Sequence, residues 1–451
     1  MKGLLFFSVG AIGCLACASE MQALGGRGSS FTAELQSRID ETWRRGGGEV
    51  VVPAGTHVLG SVRLRSGITL RLKSGAKILG STNAEDYIGT LLKDKVEPIT
   101  RERLEHGFGE DITRRSQYAM FHALAAHDIT VVGEPGSMID GRNCFDALGA
   151  EGYRGPHAFS FVASTNVVFR GVVVENAADY AYKFIDSRKV VLDGARAIAG
   201  HDGVHFDLCD DVSILNCRLL TGDDSVAGSG CSGIVVSNCT LSSACSPFRL
   251  GGRNVLVTDC RIVESAYPHR WTLTQEEKRR GAYPAEVKGR RRAGGFYQGY
   301  TGDRAHKNFK PGNILVRNTT VEGCARFMLS ISGIPGALWQ DGHGIADITF
   351  ENVTAKGLSL PSVVVAKADE PMKLVFRNCS FAFDRPQDCA LLGGNIEVVE
   401  ENVTLDNAAR FFRRRADIGY DDVPEFPSWR IEPNEQRAKW GLPPLANGSA
   451  R

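Results

Sequence analysis

Three aspartates near the middle of the chain stand at a spacing that allows acid–base chemistry. Asp202 is followed 21 residues later by Asp223, and Asp224 comes directly after it. Carboxyl groups held close together cannot all ionise freely, so the pKa of at least one of them should rise. A protonated carboxyl beside an ionised one is the division of roles that hydrolysis of a glycosidic bond needs.

Two other interpretations of the aspartates remain open on spacing alone. Carboxylates are the preferred ligands of calcium, and aspartate is common in solvated turns. Beyond the first residues of the chain, no cysteine pair or cysteine–histidine cluster has the spacing of zinc ligands. If the aspartates carry out hydrolysis, we expect no metal and no cofactor.

A repeated β pattern determines where these aspartates lie. Short apolar runs end in a turn residue, and from Gly171 the turn residues follow at intervals of 23, 22, 22 and 21 residues. Later intervals lengthen to 59, 34 and 26 residues, where loops are inserted. A period near 22 without intervening helices predicts an all-β fold, a single-stranded, right-handed parallel β-helix. A leucine-rich repeat is not favoured because the regularly spaced leucines of that fold are missing. A β-propeller is not favoured because each of its blades needs about 40 residues.

Stacked coils place equivalent residues about 4.8 Å apart. Asp202 should therefore lie beside Asp223 or Asp224, with Asp207 in the same coil. Asparagine at the turns fits both the left-handed conformation and side-chain ladders between coils. This explains most of the Asn-x-Ser/Thr triplets without glycosylation. Cysteines that follow the turn residue should be buried rather than paired: Cys217, Cys239, Cys260 and Cys379.

The solenoid is predicted over residues 31–407. An amphipathic helix from Phe31 to Arg45 should cap its open end, and residues 408–451 should form a C-terminal cap. Insertions are expected at about 87–118 and 267–310. The second is rich in arginine and in aromatic residues, which would suit either a solvated loop or a cleft wall that stacks on sugars and pairs with carboxylates.

The first 18 residues resemble a secretory signal, followed by a linker over 19–30. Cys14 and Cys17 leave lipidation open as an alternative to plain export, so we expect a secreted or periplasmic protein or a lipoprotein. The rest of the chain has no run apolar enough to cross a membrane. Net charge is +1 over 451 residues, so charge does not argue for a nucleic-acid partner; we expect a monomer that binds a polysaccharide or oligosaccharide.

The chain resembles the polygalacturonase family of glycoside hydrolases, family 28, in four stretches. These are the Gly46–Thr56 region, the Leu70–Ser81 region with Asp86-Tyr87, the triplet Ile139-Asp140-Gly141, and the acidic segments around Asp202 and Asp223. The resemblance implies that Asp223 is the general acid, that Asp202 and Asp224 hold and deprotonate water, and that the anomeric carbon is inverted.

Several family positions are replaced. Gly200 and His201 stand where the family has Asn-Thr, and Ala244-Cys245-Ser246 stands where it has Gly-His-Gly. Arg326-Phe327-Met328 keeps the arginine of the family's Arg-Ile-Lys and loses its lysine. Arg326, Arg249, His201 and His205 are therefore the candidate substrate-binding residues, with Arg249 as a possible replacement charge.

The resulting hypothesis is an exported glycoside hydrolase of a pectin-like, uronate-containing glycan. One alternative is a polysaccharide lyase on the same fold, with a basic proton abstractor and calcium held by the aspartates. The other is a non-catalytic glycan-binding β-helix.

Overall fold

The structure is a computed structural model that describes residues 28–87, 118–149, 153–267, 293–301, 309–332 and 343–418. One α-helix, α1 (Gly28–Arg44), precedes the strands. The strands, in chain order, are β1 (Gly48–Val52), β2 (Gly55–Leu59), β3 (Val62–Arg63), β4 (Ile68–Leu72), β5 (Ala76–Gly80), β6 (Ala119–Leu124), β7 (His127–Gly133), β8 (Met138–Asp140), β9 (His157–Val162), β10 (Thr165–Arg170), β11 (Val173–Glu175), β12 (Tyr182–Ile185), β13 (Arg188–Asp193), β14 (Arg196–Ile198), β15 (Val204–Asp207), β16 (Asp210–Leu215), β17 (Arg218–Thr221), β18 (Val226–Ser237), β19 (Thr240–Ser243), β20 (Phe248–Thr258), β21 (Arg261–Ile262), β22 (Ala293–Gly299), β23 (Gly312–Val321), β24 (Cys324–Ile331), β25 (Asp347–Leu358), β26 (Ser362–Val365), β27 (Met372–Arg377), β28 (Ser380–Gly393), β29 (Ile396–Glu401) and β30 (Thr404–Arg414).

The strands form three parallel ladders, each joining equivalent strands of successive coils. Ladder A begins with β1, β4, β7, β10, β13 and β16. Ladder B begins with β2, β5, β8, β11, β14 and β17. Ladder C begins with β3, β6, β9, β12 and β15 and continues into the first half of β18. The chain is thus the right-handed parallel β-helix that the repeat predicts.

Alternation along ladder C separates the core from the outer face. Tyr182, Phe184 and Phe206 are fully buried in the core, and the Phe159 and Tyr182 rings stack at 5.6 Å. Residues between these positions, such as His205, point to the other face of the strand. Each coil buries its apolar side only against its neighbours, so the continuous core holds the outer residues of ladder C in register.

The predicted turn ladder is present between β16 and the strands stacked on it. Asn216 and Asn238 have φ of 55° and 53°, in the left-handed region that asparagine tolerates. The Nδ2 of Asn238 donates to Oδ1 of Asn216 at 2.7 Å, and Asn216 donates to Asp193 at 2.7 Å. The four turn cysteines are buried and free, as expected.

The capping helix begins at Gly28, three residues before the predicted start, and ends at Arg44, one residue before the predicted end. Leu35 and Ile39 are fully buried under the first coils. None of the helices in the described part of the chain is long and apolar enough to cross a membrane.

Two predicted boundaries are wrong in part. Residues 293–299 belong to the solenoid as β22, which pairs with β20 and β24, although the insertion was expected to run to about 310. The glycine-rich Gly294-Gly295 and the arginines before it hide the strand pattern, yet Phe296 and Tyr297 are core residues. β30 extends the repeat to Arg414 because it pairs with β28 past residue 407.

Other predicted segments lie outside the described residues. These are the signal and linker up to residue 27, nearly all of the first insertion, residues 268–292 and 302–308 of the second, and the C-terminal segment from 419.

Candidate active site

The three aspartates occupy the turns that lead from ladder B into ladder C. The register of β15, β18 and β20 places Asp202, Asp224 and Ser246 at equivalent positions of consecutive coils. The same register places His201 next to Asp223. The prediction that Asp202 adjoins the aspartate pair one coil away is therefore confirmed, with Asp224 as its direct neighbour.

Backbone and side-chain contacts hold this acid cluster, formed by Asp202, Asp223 and Asp224, in place. The backbone N–H of Asp224 donates to Oδ1 of Asp202 at 3.1 Å. The hydroxyls of Thr221 and Ser243 donate to the carbonyl of Asp223 at 3.0 and 2.6 Å. The side-chain orientation of the pair therefore follows from a fixed turn rather than from a free loop.

Exposure and charge distinguish the three carboxyls. Asp223 is 7% exposed and Asp202 4%, whereas Asp224 is only 1% exposed. Burial and the charge of Asp223 raise the pKa of Asp224 to about 8, against the opposing effect of Arg249. Burial also raises the pKa of Asp202, and Asp223 adds to this shift while His205 opposes it. The cluster therefore retains at least one proton at neutral pH.

His205 lies between two carboxylates. Its Nδ1 is 2.7 Å from Oδ2 of Asp202, and its Nε2 is 3.1 Å from Oδ2 of Asp207. Burial by itself lowers the pKa of His205, but Asp207 and Asp202 outweigh it and raise the value to about 9. An imidazolium donates from both ring nitrogens, which matches an acceptor on each side.

An arginine and a histidine lie beside Asp223. Nη2 of Arg154 lies 3.8 Å from Oδ2 of Asp223, and Nδ1 of His201 lies 3.7 Å from the same oxygen. His201 is completely buried and its ring lies 5.6 Å from that of Tyr153. The structure thus brings His201 to the acid cluster, at a position that contacts an acid rather than open solvent.

Sequence reasoning missed Arg154. Its Nη1 donates to Oδ1 of Asp179 at 3.0 Å and to the hydroxyl of Tyr180 at 3.1 Å. Asp179 and Tyr180 stand one coil before His201 and Asp202, so extending the period backward would have found them. Arg154 sits in an irregular segment between β8 and β9, where no periodic signal exists.

Arg249 supplies positive charge on the other side of the cluster. Its Nη1 lies 3.5 Å from Oδ2 of Asp224, and its guanidinium lies 4.5 Å from the centre of the Tyr300 ring. Side-chain exposure of Arg249 is 22%, compared with 2% for the Asp224 side chain. The sequence-based suggestion that Arg249 brings a charge to the aspartates is consistent with this placement.

Arg326 lies farther along the same turn position. The register places Ser246, Gly295 and Arg326 on successive coils after Asp224, which is about 14 Å at the usual coil spacing. The side chain of Arg326 is buried, and its Nε donates to the carbonyl of Pro361 at 3.2 Å. It therefore stands three coils away from the acid cluster.

A metal ion has one cluster of possible ligands among the described residues. Asp223, Asp224 and Cys245 each have a donor atom within 4.8 Å of the others. Calcium takes oxygen ligands rather than thiols, and burial raises the pKa of the Cys245 thiol well above its usual range. Because only a thiolate is a good ligand, the donor set does not favour calcium.

Comparison with known proteins extends these observations. The sequence profile described as glycosyl hydrolases family 28 matches residues 45–270, a range that includes the whole acid cluster. The chain therefore belongs to family 28 of the glycosyl hydrolases, a family of glycosidases. It is 24% identical over 226 residues to a probable polygalacturonase of Vitis vinifera, a match that covers 47% of this chain and 44% of the relative's length.

Solved structures share the fold at low sequence identity. An exopolygalacturonase from Thermotoga maritima aligns with a TM-score of 0.59 at 14% identity, over 83% of this chain and 88% of that chain. A polygalacturonase from Erwinia carotovora aligns at 0.54 and 15% identity, over 82% and 93%. The surface adhesin PfbA of Streptococcus pneumoniae aligns at 0.56 and 14% identity, over 84% and 89%. These likenesses establish the parallel β-helix.

Proposed function

We propose that the protein hydrolyses O-glycosidic bonds of a pectin-like, uronate-containing polysaccharide or oligosaccharide, with inversion at the anomeric carbon. The observation that carries the proposal is the acid cluster, in which burial raises the pKa of both Asp202 and Asp224. Such a cluster holds a proton for the leaving group and a base for water in one place.

Asp223 is assigned as the general acid. It is the most exposed of the three carboxyls at 7%, so its oxygen can reach the glycosidic oxygen of a bound substrate. Asp224 is 1% exposed, and burial together with the charge of Asp223 raises the pKa of Asp224 to about 8. The adjacent pair therefore holds a proton at neutral pH. The pair thus delivers one proton to the departing sugar.

Asp202 and Asp224 are assigned to the attacking water, Asp224 to hold it through a hydrogen bond and Asp202 to deprotonate it. Inversion needs water activated by a carboxylate on the face of the sugar ring opposite the leaving group. Asp202 accepts hydrogen bonds from the backbone N–H of Asp224 and from His205. These two donors fix the orientation of its carboxylate. This arrangement supports Asp202 as the principal base.

A uronate substrate is supported by the arginines around the cluster. Arg249, with Tyr300 beneath its guanidinium, offers a charge for the substrate carboxylate and an aromatic face for a sugar ring. Arg154 adds positive charge beside Asp223. We assign Arg249 to carboxylate recognition in place of the family's missing lysine, and we keep Arg326 as a candidate for a more distant subsite.

We further propose that the protein is exported and acts as a monomer. The proposal of export rests on the signal-like first 18 residues.

A panel of pectic and other uronate-containing glycans tests the proposal. We expect new reducing ends without an unsaturated product, and the first product observed by proton NMR should have the anomeric configuration opposite to that of the cleaved bond. Unsaturated products abolished by a chelator would instead establish a lyase. Retention of glycan on the protein with no product from any of them would establish a binding protein.

A further inference from the structure

His205 forms part of the outer face of ladder C and occupies a position that no substrate can contact through its ring nitrogens. Both nitrogens face carboxylates, at 2.7 Å to Asp202 and 3.1 Å to Asp207. The residue is 8% exposed. Because both ring nitrogens of His205 are bonded to protein carboxylates, any effect of His205 on the reaction must pass through those carboxylates.

The ring of His205 is held in one orientation. It stacks on the ring of Tyr180 at 4.4 Å with 5° between the planes. Asp207 is in turn fixed by the hydroxyl of Ser229, which donates to Oδ1 at 3.0 Å. His205 therefore sits on a rigid support that reaches from the turn before β12 through β15 to β18.

We propose that His205 is a positioning residue that keeps Asp202 ionised and aligned as the base of the reaction. The inference rests on the proposed function, because it assigns His205 a task through the base of that reaction. Asp202 has one oxygen on the backbone N–H of Asp224 and the other on His205. His205 thus supplies the only charged hydrogen bond to Asp202 among the described residues.

The charges that face His205 support an imidazolium. Asp202 lies on the preceding turn and Asp207 on the same strand, and each contacts one ring nitrogen. On the neighbouring strand β12, Lys183 occupies the equivalent position. Burial lowers the pKa of Lys183, while Asp179 and Asp207 oppose that shift. The two carboxylates in direct contact with His205 raise its pKa in spite of burial and of this neighbouring cation.

Three further groups lie near this assembly. Tyr180 presents its uncharged ring face, and burial raises the pKa of the Tyr300 phenol so that it stays neutral. Arg154 acts on Asp202 and favours the ionised carboxylate, but less than His205 does. Without His205, burial and the charge of Asp223 should therefore raise the pKa of Asp202 further.

The direct experiment is a carboxyl carbon-13 NMR titration of aspartate-labelled protein, with the Asp202 signal assigned by Asp202→Asn. In His205→Asn, the pKa of Asp202 should rise by about 1 to 3 units, the usual effect of an opposite charge on a carboxylate. The matched control is His127→Asn, because His127 also pairs with an aspartate, at 2.8 Å from Asp128, but is exposed. An unchanged Asp202 titration in His205→Asn would overturn the proposal.

The second readout is the pH profile of kcat/KM on a glycan that the wild type cleaves. The acid limb should move to higher pH by the same amount in His205→Asn and stay in place in His127→Asn. Activity with an unmoved acid limb would overturn the inference and leave the proposed function standing. A shifted titration of Asp202 in a protein that cleaves no glycan would overturn the proposed function alone.

Nitrogen-15 NMR of the wild type keeps the proposal testable if His205→Asn does not fold. Both ring nitrogens of His205 should carry protons at pH 7.5, since its pKa lies at about 9. A neutral ring at that pH would contradict the role.

Discussion

At the scale of residues, the acid cluster shows what one coil spacing does to chemistry. Asp202 and Asp224 are neighbours because they occupy equivalent positions of two adjacent coils. Burial makes the ionised form of each carboxyl costly. Arg154, Arg249 and His205 then decide which carboxyl is ionised. The same side chains scattered on a surface would titrate near their ordinary pKa values.

Asp224 should make the protein less stable as the pH rises. The pKa of Asp224 in the folded state is about 8, above the ordinary 3.8, so its contribution to the free energy of unfolding is present below pH 4 and is lost as the pH rises through 8. Asp224→Asn cannot ionise, so its Tm above pH 8 should exceed that of the wild type by on the order of 2 °C.

Thermal unfolding of both proteins between pH 5 and pH 8.5 provides the check. The Tm of the wild type should fall more steeply than that of Asp224→Asn over this range. Parallel curves would show that Asp224 is already ionised in the folded protein at low pH.

The sequence predicted the residues of the acid cluster, since three aspartates and a period suffice to locate them. It did not predict the partners of His205. The alternation of β15 places Asp207 on the same face as His205, but the contact with Asp202 depends on the conformation of the turn before the strand. It also missed Arg154, which lies in a turn of irregular length. Periodic residues were therefore predictable, and residues in irregular turns were not.

At the scale of elements, the turn asparagines fix the register that aligns the acids. Asn238 combines a left-handed backbone with a side-chain hydrogen bond to Asn216 of the preceding coil. Intervals between turn residues predicted this ladder directly. The strand β22 was missed because its glycines and preceding arginines resemble a loop, although its aromatic residues fill the core.

Substitutions at Asn238 should separate the backbone effect from the side-chain effect. Asn238→Gly keeps the left-handed conformation and loses only the amide bond to Asn216. Asn238→Ala loses both and should be less stable than Asn238→Gly by about 1–2 kcal/mol, the cost of a left-handed residue with a Cβ. Urea unfolding of the two variants measures the difference, and equal midpoints would contradict the argument.

At the scale of the whole molecule, one continuous core supports the site from end to end. Each coil is stable only against its neighbours, so the helix α1 protects the apolar end nearest the N-terminus. Leu35 is fully buried there, many coils away from the acid cluster. The sequence predicted this cap from its amphipathic pattern to within a few residues.

Truncation of the cap residue should weaken the solenoid from its end. Leu35→Ala should cost about 2–5 kcal/mol, as for other buried leucines, and should lower the Tm while kcat at low temperature stays unchanged. Glu34→Ala is the matched control, because the Glu34 side chain is 62% exposed. A loss of kcat at low temperature in Leu35→Ala would contradict the independence of cap and site.

Dependence of glycan cleavage on Asp223 tests the central claim most directly. Release of reducing ends is compared between the wild type, Asp223→Asn and the control Asp210→Asn. Asp210 is a suitable control because it begins β16 in ladder A and its side chain is 43% exposed. Loss of a general acid should lower the rate roughly 100-fold or more, while Asp210→Asn should match the wild type. Cleavage by Asp223→Asn at the wild-type rate would contradict the assignment of this cluster as the catalytic site.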